Sequence, residues 1–171
     1  AFHDENFYKC VVDNYNRQKK TNYGYDVSLT DEQLSNIPNV YCNGIDSSDE
    51  KISDVSGIEK LISLESLFLP YNQITEIDLS HNTQLQELDL SENQITDIDL
   101  SHNIQLQKID LYSNQIVDID LSRNTQLQEL SLNKNQITGI ELGHNTSLTS
   151  LDLSENQLVG IDLSHNTSLM Y

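Results

Sequence analysis

Carboxylates recur along this sequence at a fixed interval. Asp78, Asp99, Asp120, Glu141 and Asp162 stand 21 residues apart, and Glu76, Asp97 and Asp118 precede the first three by two positions. Stacked in space, such a set places like charges about 5 Å apart, which costs stability unless a cation or hydrogen-bond donors answer it. Calcium, which takes many carboxylate oxygens, would be the chemistry of that ladder. No glycine-rich calcium loop accompanies it, and Ser101 and Ser122 stand where they can donate to Asp99 and Asp120. A solvated, serine-bonded ladder is therefore expected, with calcium on Asp78, Asp99, Asp120, Glu141 and Asp162 as the alternative. His81, His102, His144 and His165 form a second series, and imidazoles could bind a transition metal. Arg123 takes one place in that series without disturbing its surroundings, so these read as turn residues. Neither a nucleophile motif nor a phosphate loop stands apart from the repeat, and no cofactor is expected. The chain reads as non-catalytic.

The elements that carry these residues follow from the same interval. Leu64, Leu85, Leu106, Leu127 and Leu148 each open the phrase LxxLxLxxN, as in Leu85-Leu88-Leu90-Asn93, and Leu169 opens another. Alternation around the central leucines makes each phrase a strand with one face inward. A unit of 21 residues cannot bury its own leucines, so units must stack and share a core. The closing asparagine can turn its amide inward and satisfy backbone groups where the chain leaves the strand. Phrase and period together are the leucine-rich-repeat signature. The second half of each unit, Ile95-Ile98-Leu100-Asn103 for example, repeats the pattern and leaves no room for a helix. The expected fold is thus an α/β repeat: a right-handed solenoid with a parallel concave sheet, strand-like convex arms and shallow curvature. The array should run over 61–171 in about five repeats, after a cap and entry coil over 1–60.

In that cap, Phe7, Cys10, Val11 and Tyr15 recur at helical spacing behind Asp4 and Glu5, which predicts a helix over about 5–17. Thr30 to Gln33 form a capping box that opens a short helix through Asn36. Ile37, Val40 and Cys42 then keep the spacing of a first, degenerate strand. Cys10 and Cys42 both point into the cap core. They read as two buried thiols, with a disulfide open to them if the chain is exported.

On the concave face the outward positions hold the candidate contacts. Positions that the repeat keeps uniform serve the fold; the exceptions are free for recognition. Phe68, Tyr71 and Tyr112 are aromatic exceptions, Lys108 and Lys134 basic ones, and Glu87, Asp89 and Asp110 bring carboxylates among them. Rigidly held aromatic residues are the usual anchors of protein interfaces. These eight residues are the expected partner-binding set. Asn145 and Asn166 match a glycosylation sequon, but as inward residues they would be hidden from modification.

Leu29 to Ile77, read as LTDEQLSNIPNV followed by KISDVSGIEKLISLESLFLPYNQITEI, resembles the N-terminal cap and first repeats of bacterial internalin-like surface proteins. Downstream, 21-residue repeats with Asp-Leu-Ser-x-Asn replace the 22-residue Pro-Leu repeats usual in that family, as in other bacterial surface leucine-rich-repeat proteins. The resemblance implies an exported bacterial array, on the cell surface or secreted, that binds a protein such as a host-cell surface protein, with adhesion or virulence as its setting.

The bulk numbers are compatible with this. Nine basic against 27 acidic residues, a net charge of −18, would repel phosphate backbones, which excludes nucleic acid as an expected partner. No apolar run reaches the ~20 residues that span a bilayer, so no membrane insertion is expected. The chain stops as a sixth repeat begins at Leu169, which reads as a trimmed array; the alternatives for assembly are a monomer or an end-to-end dimer through that open end. Two other functions remain open on the sequence: a cation-stabilised structural spacer, and an intracellular regulatory subunit.

Overall fold

The computed structural model describes residues 1–45 and 51–170; Tyr171, at the proposed open end, lies outside the described residues. Helix α1 (Glu5–Lys19) and the single turn α2 (Asp31–Leu34) precede strand β1 (Asn39–Tyr41). A 3₁₀ turn at Ile58–Lys60 leads into the array, whose strands are β2 (Ser66–Phe68), β3 (Glu87–Asp89), β4 (Lys108–Asp110), β5 (Glu129–Ser131) and β6 (Ser150–Asp152). The six strands make one parallel sheet in sequence order. Leu67, Leu88, Ile109, Leu130 and Leu151 stand in register across it. That stack is the spine of a core running from Phe7 in the cap to Leu148. Cap and array therefore share both their sheet and their core, because β1 pairs with β2.

The convex arms hold no helix among the described residues. Instead, one backbone bond per rung links neighbouring arms, such as Gln94 N–H to the Ile74 carbonyl at 2.9 Å.

Two buried asparagine ladders close the two ends of each coil, and they work differently. On the strand side, Asn93 Nδ2 donates to the carbonyls of Leu69 (2.9 Å) and Leu90 (3.0 Å), while its Oδ1 accepts the Ile74 N–H at 3.0 Å. Asn114 and Asn135 repeat this one coil at a time. On the convex side, Asn103 Nδ2 donates to the carbonyls of Leu79 (3.0 Å) and Asn82 (2.9 Å), but its buried Oδ1 accepts no bond. Asn145 and Asn166 are buried in this second ladder, as their inward placement requires.

The cap is fastened at three points. Asp4 caps α1 through Oδ1, which accepts the Asn6 and Phe7 N–H groups, and ties the entry coil through Oδ2, which accepts the Ser53 and Asp54 N–H groups. Burial works to raise the Asp4 carboxyl, yet the bonds from Ser53, Phe7, Asp54 and Asn6 hold it below its ordinary value. The Thr30–Gln33 capping box forms as expected. Helix α1 continues two residues past the predicted end and stops where Lys20 turns left-handed, its N–H bonded to the Asn16 carbonyl.

The third point corrects the sequence reading. Cys10 and Cys42 are joined in a disulfide, with Cα atoms 5.9 Å apart, and are not two buried thiols. The helical stripe and the strand phrase had each placed one cysteine inward; only their packing brings the two within bonding reach. Just beyond, Gly44 lies so close to the next rung that an added Cβ would stand 2.2 Å from the Tyr71 carbonyl oxygen. Only glycine lets the chain pass there.

Candidate functional site on the concave face

The sheet turns one side chain per strand outward at its central row, in register: Tyr41, Phe68, Asp89, Asp110, Ser131, Asp152. Neighbouring rungs of a sheet lie about 4.8 Å apart, so this row is a continuous contact line. Its first two members are aromatic and stack on each other, with ring centroids 5.0 Å apart and planes inclined by 27°. Tyr41 is 47 % exposed, a large apolar surface at the head of the row. It was missing from the sequence-derived set. The signal was present, since Val40 and Cys42 at strand spacing force the residue between them outward beside Phe68.

Past the aromatic pair the row becomes acidic. Asp89 Oδ1 accepts the Ser91 N–H (2.9 Å) and the Ser91 hydroxyl (2.6 Å), and Asp110 Oδ1 accepts the Tyr112 N–H (2.9 Å). These bonds orient both carboxylates at the strand ends. Asp110 is half-buried. That burial, together with the Asp89 and Asp152 carboxylates, pushes its acid above the usual range, against the opposing Tyr112 bond. Lys108 lies two residues before Asp110, in the flanking row, and pairs with Glu129 at 3.0 Å.

Phe68, Glu87, Asp89, Lys108 and Asp110 together line a shallow groove of about 300 Å³ on this face. Five of the eight expected residues thus converge. The other three sit along the strand exit. Tyr71 and Lys134 belong to a rim row, with Glu92, Ser113 and Glu155, in which every residue is left-handed at φ 52° to 60°. A non-glycine residue held there costs roughly 1 kcal/mol or more, and its recurrence in every coil shows that the turn itself demands it. The bend presents Lys134 Nζ 5.5 Å from the centre of the Tyr112 ring. The bond to Tyr112 first, and then the Glu92 carboxylate, hold the Lys134 amine above its ordinary value.

The convex ladder differs in kind. Asp78, Asp99, Asp120 and Asp162 each accept the N–H of the serine two residues on, at 2.9 Å. Serine bonds hold all four carboxyls below the ordinary range. The histidine positions are exposed at the turns, with Ser80, Ser101 and Ser164 hydroxyls beside the Nδ1 atoms of His81, His102 and His165. Among the described residues no three His, Cys, Asp or Glu side chains converge as they would around a metal ion.

A solenoid of 21-residue coils, a parallel concave sheet and paired asparagine ladders define a class of protein: the leucine-rich-repeat scaffold. Comparison with known proteins agrees, for the family model described as Leucine Rich repeats (2 copies) matches residues 83–124 and again 125–168. The chain belongs to the leucine-rich-repeat family, and its build is internalin-like. Internalin J of Listeria monocytogenes serotype 4b is 34 % identical over 82 residues, 48 % of this chain and 8 % of that protein. Among solved structures, an internalin of Listeria monocytogenes is 33 % identical with a TM-score of 0.66, over 70 % of this chain and 37 % of that one. A leucine-rich-repeat protein of Leptospira interrogans is 26 % identical with a TM-score of 0.62, over 68 % of this chain and 32 % of that one. The chain spans well under half the length of each of these relatives. Family and fold together point to a protein-binding scaffold.

Proposed function

We propose that this chain is a bacterial cell-surface or secreted module that holds a protein partner on its concave face. The observation that carries the reading is the break in the central row: where other rungs present small or acidic residues, the first two present the stacked, accessible pair Tyr41 and Phe68. Such pairs supply large rigid area at little entropic cost, as interface anchors do. The Cys10–Cys42 disulfide supports an exported setting, since such bonds persist in oxidising compartments. The likeness to Listeria internalins points the same way. The interface comprises Tyr41, Phe68, Glu87, Asp89, Lys108 and Asp110, with Tyr71, Tyr112 and Lys134 at its rim.

The test is capture from a host-cell surface extract, comparing the native protein with the Phe68→Ala/Tyr112→Ala double variant. The reading expects a partner retained by the native protein and lost, by tenfold or more in affinity, with the variant at unchanged melting temperature. Equal retention by both removes the concave face from the function.

A further inference from the structure

Two places on the concave face bring an aromatic ring and a carboxylate together, and they are answered differently. At the rim, Tyr112 and Glu92 hold a cation from the chain itself, Lys134, whose Nζ lies 5.5 Å from the ring centre. In the central row, Phe68 stacked on Tyr41 stands in register beside Asp89, and Asp110 follows one rung further. Among the described residues no ion pair reaches Asp89 or Asp110, because Lys108 is engaged with Glu129. The Asp89 bonds to Ser91 both run through Oδ1, which leaves Oδ2 as the acceptor for an incoming donor.

We infer that the central row receives an arginine side chain from the protein partner, its guanidinium stacked against the Tyr41–Phe68 pair and hydrogen-bonded to Asp89, with Asp110 completing the negative wall. This deepens the proposed function and rests on it. Arginine fits better than lysine for a physical reason. Its planar, weakly hydrated guanidinium can lie on an aromatic face and donate in its own plane to a carboxylate at once, whereas an ammonium is a compact, strongly hydrated point charge. Charge complementarity on the larger scale acts in the same sense, since a chain of net charge −18 draws basic segments toward itself. A cation seated here would also relieve the mutual repulsion that Asp89, Asp110 and Asp152 experience across the groove.

The test is a titration of the isotope-labelled protein with a nine-residue glycine–serine peptide carrying two arginines, against lysine and citrulline versions, followed by amide chemical shifts. Shifts should cluster at residues 41, 68, 89 and 110. The arginine peptide should bind at least threefold tighter than the lysine one, and the citrulline peptide should not bind. Tyr41→Ala/Phe68→Ala and, separately, Asp89→Asn should each weaken the arginine peptide fivefold or more. Asparagine keeps the acceptor for the Ser91 N–H, so Asp89→Asn preserves the strand end. Equal binding of arginine and lysine, or shifts spread over both faces, would show a diffuse response to net charge and overturn the inference, as would the absence of any shift. A captured partner that needs Tyr41 and Phe68 but ignores Asp89→Asn would also overturn it while leaving concave-face binding intact; a partner indifferent to all three would remove both.

Discussion

The two faces of this solenoid are made from the same 21-residue unit, yet they treat their carboxylates in opposite ways. On the convex side four aspartates repeat at one position, each bonded to its serine and each held below the ordinary acid range. Across the concave sheet one row reads Tyr, Phe, Asp, Asp, Ser, Asp, and its half-buried member, Asp110, is pushed the other way. A rung residue that every coil repeats is explained by the coil. A rung residue that changes from coil to coil is not needed by the coil, and is free to be chosen by something outside it.

The disulfide bears most heavily on this comparison, because it anchors only the first concave rung. Replacing Cys10 and Cys42 with serine should cost about 3–4 kcal/mol, from the entropy returned to the unfolded chain by opening a loop of 32 residues. Urea denaturation measures the loss. Hydrogen exchange should show it concentrated in α1 and β1 around Tyr41, with the convex turns beyond the second coil unaffected.

Next come the asparagine ladders. Asn93→Ala removes donor bonds to the Leu69, Leu90 and Ser91 carbonyls, which each keep a second donor, and leaves the buried Ile74 N–H without its acceptor, and should cost about 3 kcal/mol. Asn103→Ala removes two donor bonds, to carbonyls that each keep a backbone N–H, strands no N–H and removes an Oδ1 that had no partner, so about 2 kcal/mol is expected. Paired urea melts would check the order: equal losses would mean that the two ladders are equivalent, and a reversed order that the convex one carries more.

A smaller effect separates the faces by pH. The convex aspartates, depressed when folded, contribute stability above the unfolded carboxylate range that disappears as pH falls through their folded values. Asp110, raised when folded, has the opposite sign: its ionisation destabilises the fold, and stability recovers as pH falls through its raised value. Melting temperature against pH should therefore show Asp110→Asn above the native protein at pH 7, with the gap closing toward pH 4. Asp78→Asn/Asp99→Asn/Asp120→Asn should lie below it at pH 7, with the gap closing at lower pH still.

The smallest effect concerns calcium. With each ladder aspartate already serving a serine, millimolar calcium should move the melting temperature by less than about 1 °C. A rise of several degrees, by mass action on the folded state, would give the convex face a ligand of its own.

Most of this architecture was legible in the sequence because a repeat states its own register. Leu67, Leu88 and Ile109 could be stacked on paper, and the asparagines could be assigned to turns before their partners were seen. What escaped depended on contacts between segments without that register. Tyr41 lies in a strand whose phrase is degenerate: Val40 and Cys42 turn it outward, but its exact partner, Phe68, is fixed by the pairing of β1 with β2. The disulfide joins a helix to a strand, and no spacing within either element measures the distance between them. The left-handed rim at Tyr71, Glu92, Ser113, Lys134 and Glu155 was invisible because no glycine marks it.

The most direct measurement exchanges the faces as the variable. Surface plasmon resonance of a captured partner over the native protein, the concave variant Tyr41→Ala/Phe68→Ala and the convex variant Asp78→Asn/Asp99→Asn asks which face is read. The concave variant should lose at least tenfold in affinity and the convex one less than twofold. The reverse order, or equal losses from both, would contradict a concave recognition face.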